Sequence, residues 1–318
     1  MPGFPLITGA TGFAGGHLLE RLIAQGAHGS RVHAWAHRGL PHGVDASVTW
    51  AAVDLLDRAA VRHALDAARP SVIYHCAGIA DVRASWHAPA LVLKVNVLGT
   101  HILLEALREL GLRSRVVLVG SALVYRPGDE AIDEDHPIGP THTYGISKLA
   151  QELTAAASPL PSLLARPFNH AGPRQSPSYA TSAFAQQIAD IEAGRRAPVL
   201  HVGNLDARRD ITDVRDTVRA YQALAESGQP RRPYNVCSGR AYSMRELLDI
   251  LLSQARARVR VEVDPARLRP SDNPIILGSH ARLTADTGWT PVIPIEQTLA
   301  DLLDYWRRTP APGANPSL

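Results

Sequence analysis

FPLITGATGFAGGHLLERLIAQG, residues 4–26, decides how the rest of the chain is read. FPLITG is an apolar run of strand length, and HLLERLIAQG carries apolar residues at helical spacing. Between them Gly9, Gly12 and Gly15 stand in a GxxGxxG pattern that also includes Thr11 and Phe13. A glycine loop leaving a strand and opening a helix lets the backbone approach a pyrophosphate at the helix N-terminus. The stretch therefore predicts a dinucleotide site at the first strand–helix junction of an α/β fold.

The same alternation continues outward through RVHAWA (31–36), RAAVRHALDAA (58–68), SVIYHCAG (71–78), LVLKVNVLGTHILLEALREL (91–110), RVVLVGSALVY (115–125), YGISKLAQELTAAA (144–157) and SLLARPFN (162–169). Alternating strands and helices imply a Rossmann-type, doubly wound parallel sheet. We assign residues 1–169 to that dinucleotide-binding domain. AGPRQSPSYAT (171–181) reads as a surface loop. Residues 170–308 then form mainly a smaller C-terminal substrate lobe, with room for a return to the first sheet. The proline-rich residues 309–318 read as a disordered tail.

Composition narrows the function. An apolar fraction of 45% and a charged fraction of 20% over 318 residues are those of a globular enzyme. No uninterrupted apolar run reads as a membrane span, and the N-terminus enters its first strand too soon for a secretory leader, so a cytoplasmic protein is expected. The formal charge is +3 and the arginines are scattered, which argues against nucleic acid and fits a small polyanionic ligand better. Cys76 and Cys237, far apart in apolar contexts, read as buried strand-end thiols. The histidines, among them His142, His170, His201 and His280, lack metal-ligand spacing, and no metal is expected.

At the end of the second strand, where an acid commonly meets the ribose hydroxyls of NAD, the chain has Ala36, His37 and Arg38. A cation there suits a 2′-phosphate, so NADP(H) is preferred, with NAD(H) as the alternative. Asp54 and Leu55, in the Val53–Leu55 turn, are placed beside the adenine. Ala77 and Gly78 either let backbone approach the dinucleotide or form an ordinary strand-end turn. Tyr144 and Lys148 lie four residues apart, hence on one helix face, where an ammonium can ease ionisation of a phenol and order a nicotinamide ribose. Ser121, ending the apolar strand RVVLVG, should open onto the same crevice.

TGATGFAG, VDLLD, HCAG, NVLGT, Ser121 before Val124-Tyr125, YGISK and ARPFN occur in an order that resembles the extended short-chain dehydrogenase/reductases along nearly the whole chain. PFNHAGPRQSP, VGNLDARRDITDVRD and VDPARLRP look most like the GDP-6-deoxy-D-mannose (GDP-D-rhamnose) reductases, with the GDP-mannose 4,6-dehydratases as near relatives. The resemblance implies reduction of a 4-keto-6-deoxyhexose carried on GDP: Tyr144 donates the proton, Ser121 binds the carbonyl oxygen and Lys148 tunes the phenol. It also implies that Pro167 contacts the cofactor, that Asn169, Arg209, Arg269 and Asp272 hold the nucleotide, and that two copies form a homodimer. Asp272 is shorter than the glutamate of the dehydratases. Where dehydratases have a group that expels water, Ser121 is followed by Ala122 and Leu123, which cannot move protons; this favours reduction. A 4-epimerase, a dehydratase and a non-catalytic dinucleotide-binding protein stay open as alternatives.

Overall fold

The strands, in chain order, are β1 (Pro5–Thr8), β2 (Val32–Ala36), β3 (Val48–Ala52), β4 (Val72–His75), β5 (Arg115–Val119), β6 (Ser162–Pro167), β7 (Asn169–Ala171), β8 (Val199–Val202), β9 (Arg208–Asp213), β10 (Pro233–Val236), β11 (Ala241–Ser243), β12 (Arg260–Val263) and β13 (Ile275–Ile276). The helices are α1 (Phe13–Gln25), α2 (Arg58–Ala68), α3 (Val82–His87), α4 (Pro89–Leu93), α5 (Gly99–Glu109), α6 (Thr143–Ala157), α7 (Ala180–Glu192), α8 (Val214–Ser227), α9 (Met244–Ser253), α10 (Ala281–Thr287) and α11 (Ile295–Arg308). The computed structural model describes residues 4–26, 31–37, 39, 45–80, 82–268 and 273–309.

Seven parallel strands form the main sheet in the order β10-β6-β5-β4-β1-β2-β3. Its central strands are apolar at successive positions because both faces are covered. Ile7, Tyr74 and Val117 pack with Leu18 of α1 and Val218, Tyr221 and Leu224 of α8. Their neighbours Leu6, Ile73 and Val116 pack on the opposite face, with Val61 and Leu65 of α2 and Leu103 and Leu107 of α5. This two-residue alternation makes one sheet the wall of two cores. The fold is α/β, with the parallel Rossmann-like sheet joined by a smaller C-terminal sheet built on β9.

The chain moves between these parts more than once. After β6 it enters the smaller lobe through β7, α7, β8 and β9. It then returns through α8 and β10, and β10 lies beside β6 at the edge of the main sheet. It leaves again for β11, α9 and β13, and α10 packs back against β10 and α8. Asp210 on β9 helps lock the junction: its carboxylate accepts from Ser238 N–H and Oγ–H and from Gly239 N–H, at 2.7, 2.6 and 2.9 Å.

Some sequence expectations need amending. VTWAA, which forms β3, carries no strand signal in the sequence, because this short, alanine-containing edge strand is half exposed and lacks the apolar run of its neighbours. Residues 91–110 read as one helix, but Lys94–Leu98 is a π-helical turn between α4 and α5. Pro89–Glu109 is also long and apolar enough, by length and composition, to span a membrane. It is instead a half-buried core helix, with α5 packed on α2 and α6. Both cysteines are free; Cys237, after β10, is buried, and Cys76, after β4, is half-buried. Residues 310–318 lie outside the described residues.

Candidate active site

The C-terminal ends of β1, β4, β5 and β6 converge on a cleft with a cavity of about 370 Å³. At its floor Gly9 adopts a left-handed φ of +69°, and a side chain there would lie 2.7 Å from the Ala77 Cα. A Cβ at Gly15 would overlap the Gly9 carbonyl, so α1 can approach the loop this closely only without one. Gly12 caps α1 without a side-chain hydrogen bond, and the first turn has no acid. The helix therefore presents uncapped N–H groups and its positive end to a cleft lined by Gly9, Gly12, Phe13 and Gly15. Thr11 is exposed on the loop, outside that lining.

Gly78 lines the cleft too, and a Cβ there would lie 2.9 Å from Asn96 Oδ1. Ala77 sits behind the glycine loop, with its N–H donating to Thr8 Oγ1 at 3.2 Å. At the far end of the sheet, His37 Nδ1 stands 3.9 Å from Asp54 Oδ1, both side chains well exposed. Leu55 points the other way, into the core against Gly99, so only its backbone is available to a ligand. Arg38 lies outside the described residues.

Ser121, Tyr144 and Lys148 all line the cleft, as does Pro167. Ser121 lies two residues beyond β5 and caps a short 3₁₀ turn, its Oγ accepting from Leu123 N–H at 3.1 Å. Tyr144 begins α6, where His142 Nδ1 caps Gly145 N–H at 3.1 Å. A side chain at Gly145 would collide with the Leu123 carbonyl, so glycine lets Tyr144 come close to Ser121. Burial pushes the Tyr144 phenol up to about 12, and a hydrogen bond with Ser121 pulls it back. Burial also brings the Lys148 ammonium down to about 8. Its Nζ donates to the Val119 carbonyl and to Gln151 Oε1, both at 2.9 Å.

The opposite wall was largely hidden from sequence reading. The stretch 171–181, read as a surface loop, is tied down by Gln175, whose Nε2 donates to the His170 carbonyl at 2.7 Å and whose carbonyl accepts from Ser182 Oγ at 2.6 Å. Tyr179 reaches across the cleft to the Ala80 carbonyl at 3.4 Å. His170 stacks on Phe13 at 5.6 Å. The one available signal was the Gln-Ser-Pro run after PFN. Tyr221, on α8, is fully buried, lines the cleft and has no hydrogen-bond partner for its hydroxyl.

Of the residues assigned to the sugar nucleotide, Asn169 lines the cleft. Arg209 lies on β9 outside the lining, its Nη1 donating to the Arg208 carbonyl at 2.7 Å, and burial lowers its pKa. Arg269 and Asp272 fall outside the described residues. Among the described residues that line the cleft there is no carboxylate, and Ala122 and Leu123 occupy the wall after Ser121.

A family model described as GDP-mannose 4,6 dehydratase matches residues 6–302. The chain belongs to the GDP-mannose 4,6-dehydratase family, within the extended short-chain dehydrogenase/reductases. A relative in the family, the GDP-6-deoxy-D-mannose reductase of Pseudomonas aeruginosa, is 36% identical over 94% of this chain and 96% of its own length. The structure of RMD from Pseudomonas aeruginosa complexed with NADPH is similar at a TM-score of 0.82 and 33% identity, covering 96% of this chain and 99% of that one. A UDP-glucose 4-epimerase of Thermus thermophilus in complex with NAD gives a TM-score of 0.82 at 28% identity, over 96% and 99% of the two chains.

A dinucleotide suits the residues present. The glycine cradle would be filled by any Cβ, α1 offers uncapped N–H groups, and Tyr221, which lines the cleft, has a buried hydroxyl with no hydrogen-bond partner. The family fold thus has a place for an NAD(P) cofactor.

Proposed function

We propose that this NAD(P)-dependent enzyme of nucleotide-sugar metabolism reduces the 4-keto group of GDP-4-keto-6-deoxy-D-mannose to give GDP-D-rhamnose, with NADPH preferred over NADH. The observation that carries the reading is the cleft wall after Ser121. With Ala122 and Leu123 in place and no carboxylate among the described lining residues, the site has proton donors for a ketone but no acid–base pair to expel water from a sugar. The 36% identity to a GDP-6-deoxy-D-mannose reductase points the same way.

A bound nicotinamide would supply the hydride. Ser121 donates its hydroxyl hydrogen bond to the carbonyl oxygen, and Tyr144 protonates the alkoxide as it forms. The Lys148 ammonium, buried beside them, steadies the phenolate that Tyr144 becomes. Asn169 orients the sugar, while Arg209, Arg269 and Asp272 serve the nucleotide end; an arginine fork suits a diphosphate. Thr11, Ala77, His37, Arg38, Asp54 and Leu55 would serve the dinucleotide's pyrophosphate and adenosine half.

The test is to supply GDP-4-keto-6-deoxy-mannose with NADPH or NADH and follow cofactor absorbance, then assign the product by NMR. Rapid loss of NADPH with a rhamnose-configured product supports the reading, and a 6-deoxytalose product would correct its stereochemistry. No loss with either cofactor would sink it and favour a 4-epimerase.

We also read the protein as a cytoplasmic homodimer. Ile146 and Leu153, two turns apart on α6, are 49% and 61% exposed, and Leu91 and Leu98 on the neighbouring helical segment are 49% and 44% exposed. An apolar face of this kind fits a second copy of the same helices. Leu153→Glu should convert the dimer to a monomer in light-scattering chromatography; an unchanged mass would exclude this face.

A further inference from the structure

Behind Lys148 runs a buried hydrogen-bonded chain that the proposed chemistry does not use. Lys148 Nζ donates to Gln151 Oε1 at 2.9 Å, and Gln151 Nε2 donates to Thr100 Oγ1 at 2.9 Å. Thr100 Oγ1 donates to the Asn96 carbonyl at 2.8 Å and also meets His75 Nε2 at 2.9 Å. His75 Nδ1 meets Thr8 Oγ1 at 2.8 Å, at the strand end that starts the glycine loop. Thr100, His75 and Gln151 are all essentially inaccessible to solvent.

Counting donors fixes every direction. The Asn96 carbonyl can only accept, so the Thr100 hydroxyl gives its hydrogen there and both its lone pairs must accept. They take Gln151 Nε2–H and His75 Nε2–H, which makes His75 the Nε2–H tautomer with Nδ1 accepting from Thr8. Burial, reinforced by Lys148, holds the His75 imidazolium form off until about pH 3, so the neutral ring is the working one. The Gln151 amide cannot turn over without setting its NH₂ against the ammonium and its oxygen against a hydroxyl that has no hydrogen left to give.

We propose that Gln151, with its amide locked by Thr100 and His75, is a positioning residue for Lys148: it aims two of the three ammonium hydrogens, together with the Val119 carbonyl, and leaves the third for the cleft. The inference rests on Lys148 being the partner of Tyr144. Its readout needs no sugar, so a failed reductase assay and a failed titration are separate results.

Among the described residues, the titratable groups facing Lys148 are Cys76 and His75 from the end of β4, and Tyr144 and Glu152 on its own helix. Glu152 is already engaged by Arg166, and burial pushes the Cys76 thiol up to about 12, so neither replaces the Gln151 oxygen.

The sequence makes the test direct, because the chain has only two lysines, Lys94 and Lys148. Protein labelled with ¹³C-lysine gives two ε-carbon resonances, and exposed Lys94 serves as the internal reference. The Lys148 midpoint is expected to fall by about one pH unit in Gln151→Leu, which removes the acceptor. Thr100→Val should lower it as well, while Thr100→Ser, keeping the hydroxyl, should restore the parent value. A purely structural role would change thermal stability and leave these midpoints alone. If Gln151→Leu does not fold, the Thr100 pair decides the matter. Midpoints unmoved in the folded variants overturn the proposal.

Discussion

Tyr144→Phe is expected to lower the rate of ketone reduction on the order of 10³-fold, with a much smaller effect on NADPH binding, since loss of a positioned general acid commonly costs that much. The ring is buried at the start of α6, and phenylalanine fills the same space, so folding should survive. Stopped-flow reduction alongside cofactor fluorescence separates the two effects. If the rate survives, Tyr144 is not the proton donor and Ser121 or a water must be. Activity of the parent enzyme should also fall as pH rises through about 8, where Lys148 loses its proton and the phenolate its support. The same group affects stability in the opposite sense. Its pKa is depressed from 10.5 on folding, so the unfolded chain binds more protons between about 8 and 10.5. The Lys148 contribution therefore becomes less unfavourable as pH rises through that window.

Glu152→Ala should produce the largest loss of stability, about 3–5 kcal/mol, measured by urea unfolding. Glu152 and Arg166 are 5% and 8% exposed, and the guanidinium donates to the carboxylate through Nη2 at 2.7 Å and through Nε at 3.1 Å. Arg166 also donates to the Tyr125 hydroxyl at 2.9 Å. Removing the carboxylate leaves a buried cation with one neutral partner. Because the pair lies beneath Gly120, next to Ser121, and just before Pro167, the catalytic loop should loosen with it. A change below about 1 kcal/mol would mean that water reaches Arg166 and solvates it, as at a surface pair.

How much of this was legible depended on whether a function was written locally. Gly9, Gly12 and Gly15 sit within one turn of chain, and Tyr144 and Lys148 within one turn of helix. Spacing therefore grouped each set locally, and Ser121, expected at the end of its strand, was what tied the two sets to one crevice. Gln151, Thr100 and His75 come from three elements, and each is an ordinary residue in its own helix or strand. Only the packing of α5 and α6 against β4 makes them a chain. Gln175 was equally obscure. In sequence it belongs to a polar loop, and its burial depends on β7 and α7 meeting around it. Tyr221 reads as one more apolar position of an amphipathic helix; its orphaned hydroxyl is visible only once α8 is packed against the main sheet.

The repeated passage of the chain between the main sheet and the smaller lobe has a mechanical consequence. A protease cut anywhere from β8 to β9 would leave one fragment anchored by β6 and the other by β10, which lie side by side in the same sheet. Nicked protein should stay together under native conditions and separate only in denaturant. For the same reason, the jaws of the cleft cannot swing on a single tether. Any opening must bend several strand ends together, which favours a small, stiff aperture over a wide gape.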